Sequence, residues 1–204
     1  MFVLRHHGWA AVPANWFIAF PVSTEGLLER LEPPPPRVRL FAAEDLHVTL
    51  AFLGPVGEDA ARRAFEHTAA LGLAPFRATL GEVVALGPPR RRSALAATIA
   101  DGREGLVRAI ATHARSMALA AGATPERRAP LPHVTVARVA RRATERERAA
   151  ALRWAEAQAV HEHPVEVNTC ALYTRAEDAQ LKGRADEDTR LFRIVTCVTL
   201  TGAT

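Results

Sequence analysis

Two near-identical phrases constrain this chain more than anything else in it. His47-Val48-Thr49-Leu50 lies within LHVTLAFLG, and His133-Val134-Thr135-Val136 lies within LPHVTVAR. Both sit in apolar stretches rich in β-branched residues and bounded by Pro or Gly, the pattern of a strand with one buried face. Side chains alternate along a strand, so His47 and Thr49 share one face while Leu46, Val48 and Leu50 share the other. His133 and Thr135 are paired in the same way above Val134 and Val136. Each copy therefore offers an imidazole and a hydroxyl side by side, backed by a hydrophobic anchor.

The segments around these phrases fall into a repeated series. NWFIAF, residues 15–20, reads as a strand stopped by Pro21, and Ser23 or Thr24 can cap a helix from Glu25 to Leu31. Pro33 to Pro36 forbid helix and make a stiff spacer. The first motif strand runs from Leu46 to Leu53. Glu58 to Leu71 reads as an amphipathic helix carrying Ala61, Ala64, Phe65 and Thr68 on one side. Phe76 to Leu86 and Ser93 to Ala100 are extended runs joined by GPPRRR, a hairpin whose connection carries Arg90, Arg91 and Arg92. A helix from Glu104 to Ala120 ends at Gly122, and a polar loop leads into the second motif strand. Thr144 starts a charged helix with Ala150, Leu152 and Trp154 facing inward. Val165 to Thr174 and Thr189 to Leu200 are the last strands, separated by a charged loop. The same short series thus occurs twice, with one motif strand in each half. It predicts an α+β fold of two pseudo-twofold lobes, each an antiparallel sheet with helices packed outside, the motifs facing a central cleft. Residues 1–14 read as an N-terminal extension, and residues 15–204 as a single two-lobed domain.

Composition bounds the function classes. With 49% hydrophobic and 24% charged residues among 204, the chain supports a sizeable core, and no apolar run reaches the roughly 20 residues of a membrane span. The net charge of +4 comes almost entirely from arginine, Lys182 being the one lysine. Arginine forks suit phosphate, although an Arg- and Ala-rich chain is also what a GC-rich genome produces. Three loop arginines at 90–92 are either solvated or placed to steer a polyanion. Cys170 and Cys197 lie in strands, form no CxxC pair and read as buried free thiols in a reducing cytoplasm, with a disulfide between them left open. There is no P-loop, GxGxxG or GxSxG phrase. His6, His7, His67, His113, His161 and His163 lie in the extension, on helices or at a helix end. His161-Glu162-His163 lacks the partners that would complete a metal site.

DLHVTLAFLG and PHVTVAR, preceded by the NWFIAFP strand, resemble the two-histidine phosphoesterases, in particular the RNA 2′,3′-cyclic phosphodiesterase (2′-5′ RNA ligase-like) branch. The resemblance covers residues 15–200. It implies His47 as proton donor and His133 as proton acceptor, with Thr49 and Thr135 binding the phosphate. Arg138, five residues after His133, matches an arginine often found there. The implied reaction is hydrolysis of a 2′,3′-cyclic phosphate RNA or nucleotide end to a 2′-phosphomonoester, without metal or other cofactor, by a monomeric cytoplasmic enzyme. The resemblance also implies 2′-5′ RNA ligase activity.

The chemistry agrees independently. Opening a cyclic phosphodiester needs a base on the attacking water and an acid on the departing ribose oxygen, and histidine serves both near neutral pH. Threonine hydroxyls can donate to the equatorial oxygens as charge redistributes. Three features depart from the family pattern. The strand SALAATIA has only Ala96 where many relatives carry a large residue. Arg138 stands at odd spacing from His133, so it needs a bulge or a strand end to share its face. The 175–188 loop is acidic at Glu177, Asp178, Asp186, Glu187 and Asp188. The alternatives are an enzyme for another small cyclic or 2′-5′ linked nucleotide, a non-catalytic nucleotide- or RNA-binding module of the same fold, and a protein in which the motifs only pack.

Overall fold

The computed structural model of the chain describes residues 15–23, 25–88, 92–176 and 190–202. The predicted extension at 1–14, the Thr24 cap, Arg90, Arg91 and the five acidic loop residues lie outside the described residues.

The strands are β1 (Trp16–Pro21), β2 (Val38–Leu40), β3 (His47–Gly54), β4 (Phe76–Leu86), β5 (Ala94–Ile99), β6 (His133–Val139), β7 (Pro164–Val167), β8 (Thr169–Arg175) and β9 (Phe192–Thr199). The helices are α1 (Leu27–Arg30), α2 (Glu58–Glu66), α3 (Arg103–Ala120) and α4 (Glu145–Glu156). Local chemistry explains most boundaries. Thr144 accepts from the Glu147 backbone while the Glu147 carboxylate takes the Thr144 N–H, a reciprocal capping box that starts α4. α1 is shorter than expected, with Gly26 at φ 72° as its N-cap, and Ser23 is held by backbone hydrogen bonds to Glu166. The 165–174 stretch is two strands rather than one. β7 pairs with β4 and β8 with β1, so Asn168 sits where the chain changes partners. β2, which the proline-rich spacer masked, adds a short edge onto β6.

Every pairing is antiparallel, and the order is β7-β4-β5-β6-β3-β1-β8-β9 with β2 on β6. The α+β reading holds. The sheet has two arms, β7-β4-β5-β6 and β3-β1-β8-β9, joined between β3 and β6 at the single recorded pair Val48↔Val134. Each arm draws strands from both halves of the sequence, a correction to assigning one half to each side. The unit β1-α1-β3-α2-β4 corresponds to β5-α3-β6-α4-β8, and in each unit the last strand crosses to the other arm. An antiparallel edge accepts any strand whose face pattern matches, and closing a longer loop costs little extra, so chain order does not decide neighbours. One face of the sheet carries the helices. α3 packs on β3 and α4 on β4, over a core that includes Val48, Leu50, Val134, Val136, Leu95 and Leu106. Burial of these apolar side chains supplies the bulk of the driving force, at roughly 1.5–3 kcal/mol for each large one. No helix among the described residues is long and apolar enough to cross a membrane.

Cys170 is buried and free, as expected, but Cys197 is exposed. Cys170 is opposite Val198 and Cys197 opposite Ala171, so the two thiols lie on opposite faces of the sheet and cannot join.

Candidate active site

The centre of the sheet carries both phrases. β3 and β6 have the same sequence of exposure. His47, Thr49, His133 and Thr135 are half-buried, and Val48, Leu50, Val134 and Val136 are buried beneath them. With Val48 opposite Val134 in antiparallel register, numbers rise on one strand as they fall on the other. His47 therefore comes abreast of Thr135, and Thr49 abreast of His133. Each imidazole stands level with the other strand's hydroxyl, and the four polar side chains stand on one face.

Both strands then bulge at the same place. On β6, Thr135 pairs with Ala96 and Ala137 with Leu95, which leaves Val136 as the extra residue. Arg138 pairs with Ala94, and Ala94, Ala96 and Thr98 share one face of β5, so Arg138 stands on the same face as His133 and Thr135. The odd spacing is thus absorbed. On β3, Thr49 pairs with Ala19 and Ala51 with Ile18, leaving Leu50 extra and turning Phe52 to the site face opposite Phe17. Phe52, 56% exposed, is the counterpart of Arg138. Superimposing HVTLAF on HVTVAR was the signal that would have found it. Ala96 lies fully buried beside Thr135 on that face, so no large side chain rises from that position.

The histidines are oriented alike. His47 Nδ1 is 2.6 Å from the Asp45 carbonyl and His133 Nδ1 is 2.7 Å from the Leu131 carbonyl. A carbonyl only accepts, so Nδ1 carries the proton and donates in both, and Nε2 is left for chemistry. The surroundings differ. His47 packs against Phe17 at 4.8 Å and Tyr173 at 5.3 Å between ring centroids, with Phe192 edge-on at 5.6 Å. That cage lowers its pKa from 6.5 to about 4. Desolvation is the main cause, the nearby charge of His133 adds to it, and the bond to Asp45 opposes it.

Asp45 is the residue that sequence reasoning missed most clearly. Its side chain is fully buried, and its carboxylate accepts from the backbone N–H of Leu191 at 2.7 Å and of Phe192 at 3.0 Å. Burial raises its pKa, against those two bonds and the charges of Arg39 and Arg190. One residue thus orients His47 through its backbone and anchors the start of β9, which carries Phe192, through its side chain. An aspartate two residues before a strand histidine was the available sign.

Of the three loop arginines, only Arg92 is among the described residues. Arg92 uses its carbonyl to accept from Arg148 at 3.3 Å. Among the described residues, no three His, Cys, Asp or Glu side chains converge as metal ligands. A cavity of about 380 Å³ opens beside the His47 cage, lined by Tyr173, Phe192, Arg190 and Arg193 among others. A cavity of about 830 Å³, between residues 65–73 and the end of β9, is lined by neither histidine.

Comparison with known proteins places this geometry. No curated protein sequence matches the chain. Among solved structures, E. coli LigT complexed with 3′-AMP is 22% identical at a TM-score of 0.63, over 93% of this chain and 99% of that one. A crystal structure of a phosphoesterase is also 22% identical, at a TM-score of 0.64 over 93% and 99%. TT0787 of Thermus thermophilus is 18% identical at 0.59, over 92% and 98%. At such identities the likeness establishes the fold. The model of the 2′-5′ RNA ligase superfamily matches residues 20–179, and the chain belongs to that superfamily.

Proposed function

We propose that this chain is an RNA 2′,3′-cyclic phosphodiesterase that opens a terminal cyclic phosphate to a 2′-phosphomonoester. What carries the reading is the pairing of two HVT strands at Val48↔Val134, with both imidazoles on one face and both Nδ1 atoms committed to backbone carbonyls. The crystal structures of LigT with 3′-AMP and with phosphate support a nucleotide ligand for this fold.

In the proposed reaction, His133 Nε2 takes a proton from water as its oxygen attacks phosphorus. His47 Nε2 gives a proton to the ribose O3′ as the P–O3′ bond breaks. Thr49 and Thr135 donate to the non-bridging oxygens, and Arg138, further along β6 on the same face, adds positive charge beside them. The caged His47 is neutral at rest near pH 7. An incoming phosphate anion favours its protonated form and so charges the donor only when substrate is present. His133 ends with one proton more and His47 with one fewer, and exchange with water resets both. No metal has a step in this scheme.

The test offers purified protein a nucleoside 2′,3′-cyclic phosphate in EDTA, beside His47→Ala and His133→Ala. Turnover to the 2′-phosphate is expected, with losses of roughly 100- to 10,000-fold in each variant. Full activity in either variant sinks the acid–base pair, and abolition by EDTA sinks the metal-free scheme. Binding without turnover favours the non-catalytic module, and preference for a 2′-5′ linked dinucleotide favours the other substrate class.

A further inference from the structure

A second group of charges stands on the same face, beyond His47. Passing along β6 from Thr135 to Arg138 moves away from His133, past His47 and towards β2. Arg138 lies two ladder steps on from Thr135, roughly 7 Å at strand spacing. Its guanidinium carbon sits 6.0 Å over the Phe41 ring, and Phe41 in turn lies 6.3 Å from Phe192. Arg175 at the end of β8 is the cross-strand partner of Phe192. Two residues after Tyr173, it shares the face of Tyr173 and Phe17, the rings that enclose His47. Arg138 and Arg175 thus converge from opposite arms around the Phe41–Phe192 pair.

Their charges feel each other. Arg138 is held below its ordinary range, first by burial and then by the Arg175 charge. Like charges brought together without a counter-charge are unfavourable. Among the described residues, neither guanidinium has an ion pair. Among the described residues, the nearby carboxylates are engaged. Asp45 accepts from the Leu191 and Phe192 N–H groups, and Glu44 pairs with Arg190 at 3.1 Å. Arg39, opposite Arg138 on β2, lies on the same side, where its charge acts on the Asp45 carboxylate. A site that gathers cations over aromatic rings beside a phosphate-handling pair is complementary to another anion.

We propose that Arg138 and Arg175 form a second phosphate subsite, which takes the 5′ phosphate of the nucleotide whose 2′,3′-cyclic phosphate lies between the histidines. The inference rests on the cyclic phosphodiesterase reading above. If His47 protonates O3′, the ribose lies on the His47 side, and its 5′ carbon leads towards the two arginines. A spacing of one extended nucleotide unit then matches the step from Thr135 to Arg138. The subsite selects an oligonucleotide end, in which every terminal nucleotide carries such a phosphate, over a bare nucleoside 2′,3′-cyclic phosphate.

The experiment compares kcat/KM for a nucleoside 2′,3′-cyclic phosphate with and without a 5′ phosphate, at low salt. Wild type is expected to favour the 5′-phosphorylated substrate by roughly tenfold or more, as a charge-assisted contact to phosphate allows. Arg175→Ala is expected to collapse that ratio towards one. Arg108→Ala removes a charge from the exposed side of α3, on the helix-bearing face of the sheet, and is expected to keep the ratio. Circular dichroism confirms that each variant is folded. A wild-type ratio near one overturns the subsite, as does an equal loss on both substrates in R175A. A collapse as large in R108A as in R175A also overturns it, because net charge alone would then be responsible. Failure of wild type on both substrates overturns the phosphodiesterase reading itself.

Discussion

Opening the aromatic cage around His47 should change how readily that imidazole takes a proton. Phe17 is 5% exposed and Tyr173 is 1% exposed, so both belong to the packed interior. Phe192 stands at the rim, and its ring meets His47 edge-on at 5.6 Å. The cleanest perturbation is therefore Phe192→Ala, which admits water while leaving the backbone N–H of residue 192 bonded to Asp45. The displacement from 6.5 to about 4 corresponds to about a 300-fold deficit of protonated imidazole at neutral pH. If three rings share that effect evenly on a logarithmic scale, losing one raises the protonated fraction about sevenfold. Proton-detected or 13Cε1 NMR titration of His47, assigned by the spectrum of His47→Gln, reads this directly. Wild type should titrate near 4 and F192A clearly higher. A wild-type titration at the ordinary 6.5, or a variant that does not move, would refute desolvation by the cage as the cause. The acidic limb of kcat/KM, which reports free enzyme, should then move upward in F192A as well.

Other outcomes follow from the same structure. The folded pKa of His47 is depressed, so the unfolded chain binds more protons between pH 6.5 and 4, and stability falls as pH drops through that window. The difference between wild type and His47→Gln in urea unfolding should therefore shift against wild type, by roughly 3 kcal/mol at pH 4 relative to pH 7. Thr49→Val and Thr135→Val keep the strand faces but remove a donor each, and single-turnover kinetics should show losses of roughly 100-fold, with phosphate affinity also reduced. Asp45→Ala leaves two buried N–H groups without their acceptor and is expected to cost roughly 3 kcal/mol of stability by denaturant unfolding, with slower turnover in the folded fraction. Thr144→Ala removes half of the α4 capping box and should cost about 1 kcal/mol without changing turnover.

The two HVT phrases were legible before any fold was known, because strand alternation by itself pairs each histidine with its threonine and sets valine beneath them. The helices α2, α3 and α4 were legible for the same local reason, although α2 ends at Glu66 rather than Leu71, and α4 buries Ala151, Trp154 and Ala155 rather than Ala150 and Leu152. The bend in the 164–175 stretch was not, since two consecutive apolar strands read as one when their partners are unknown. Nor was the exchange of β4 and β8 between the arms, which depends on edges formed by remote parts of the chain.

At the site the division runs along the same line. Residue type and alternation determined that two imidazoles and two hydroxyls would stand on strand faces. Only the tertiary structure decided that they stand together, through the one register at Val48↔Val134. Arg138 shows the limit most clearly. Counting by twos sends it to the core face, and a bulge at Val136, formed only against β5, turns it to the site. The cage around His47 comes from β1, β8 and β9, and the carboxylate that steadies it bonds to residues 146 and 147 positions away. Alternation is a property of a single strand and can be read from the chain. Bulges, desolvation and charge proximity arise between strands, so they come into being only when the sheet is assembled.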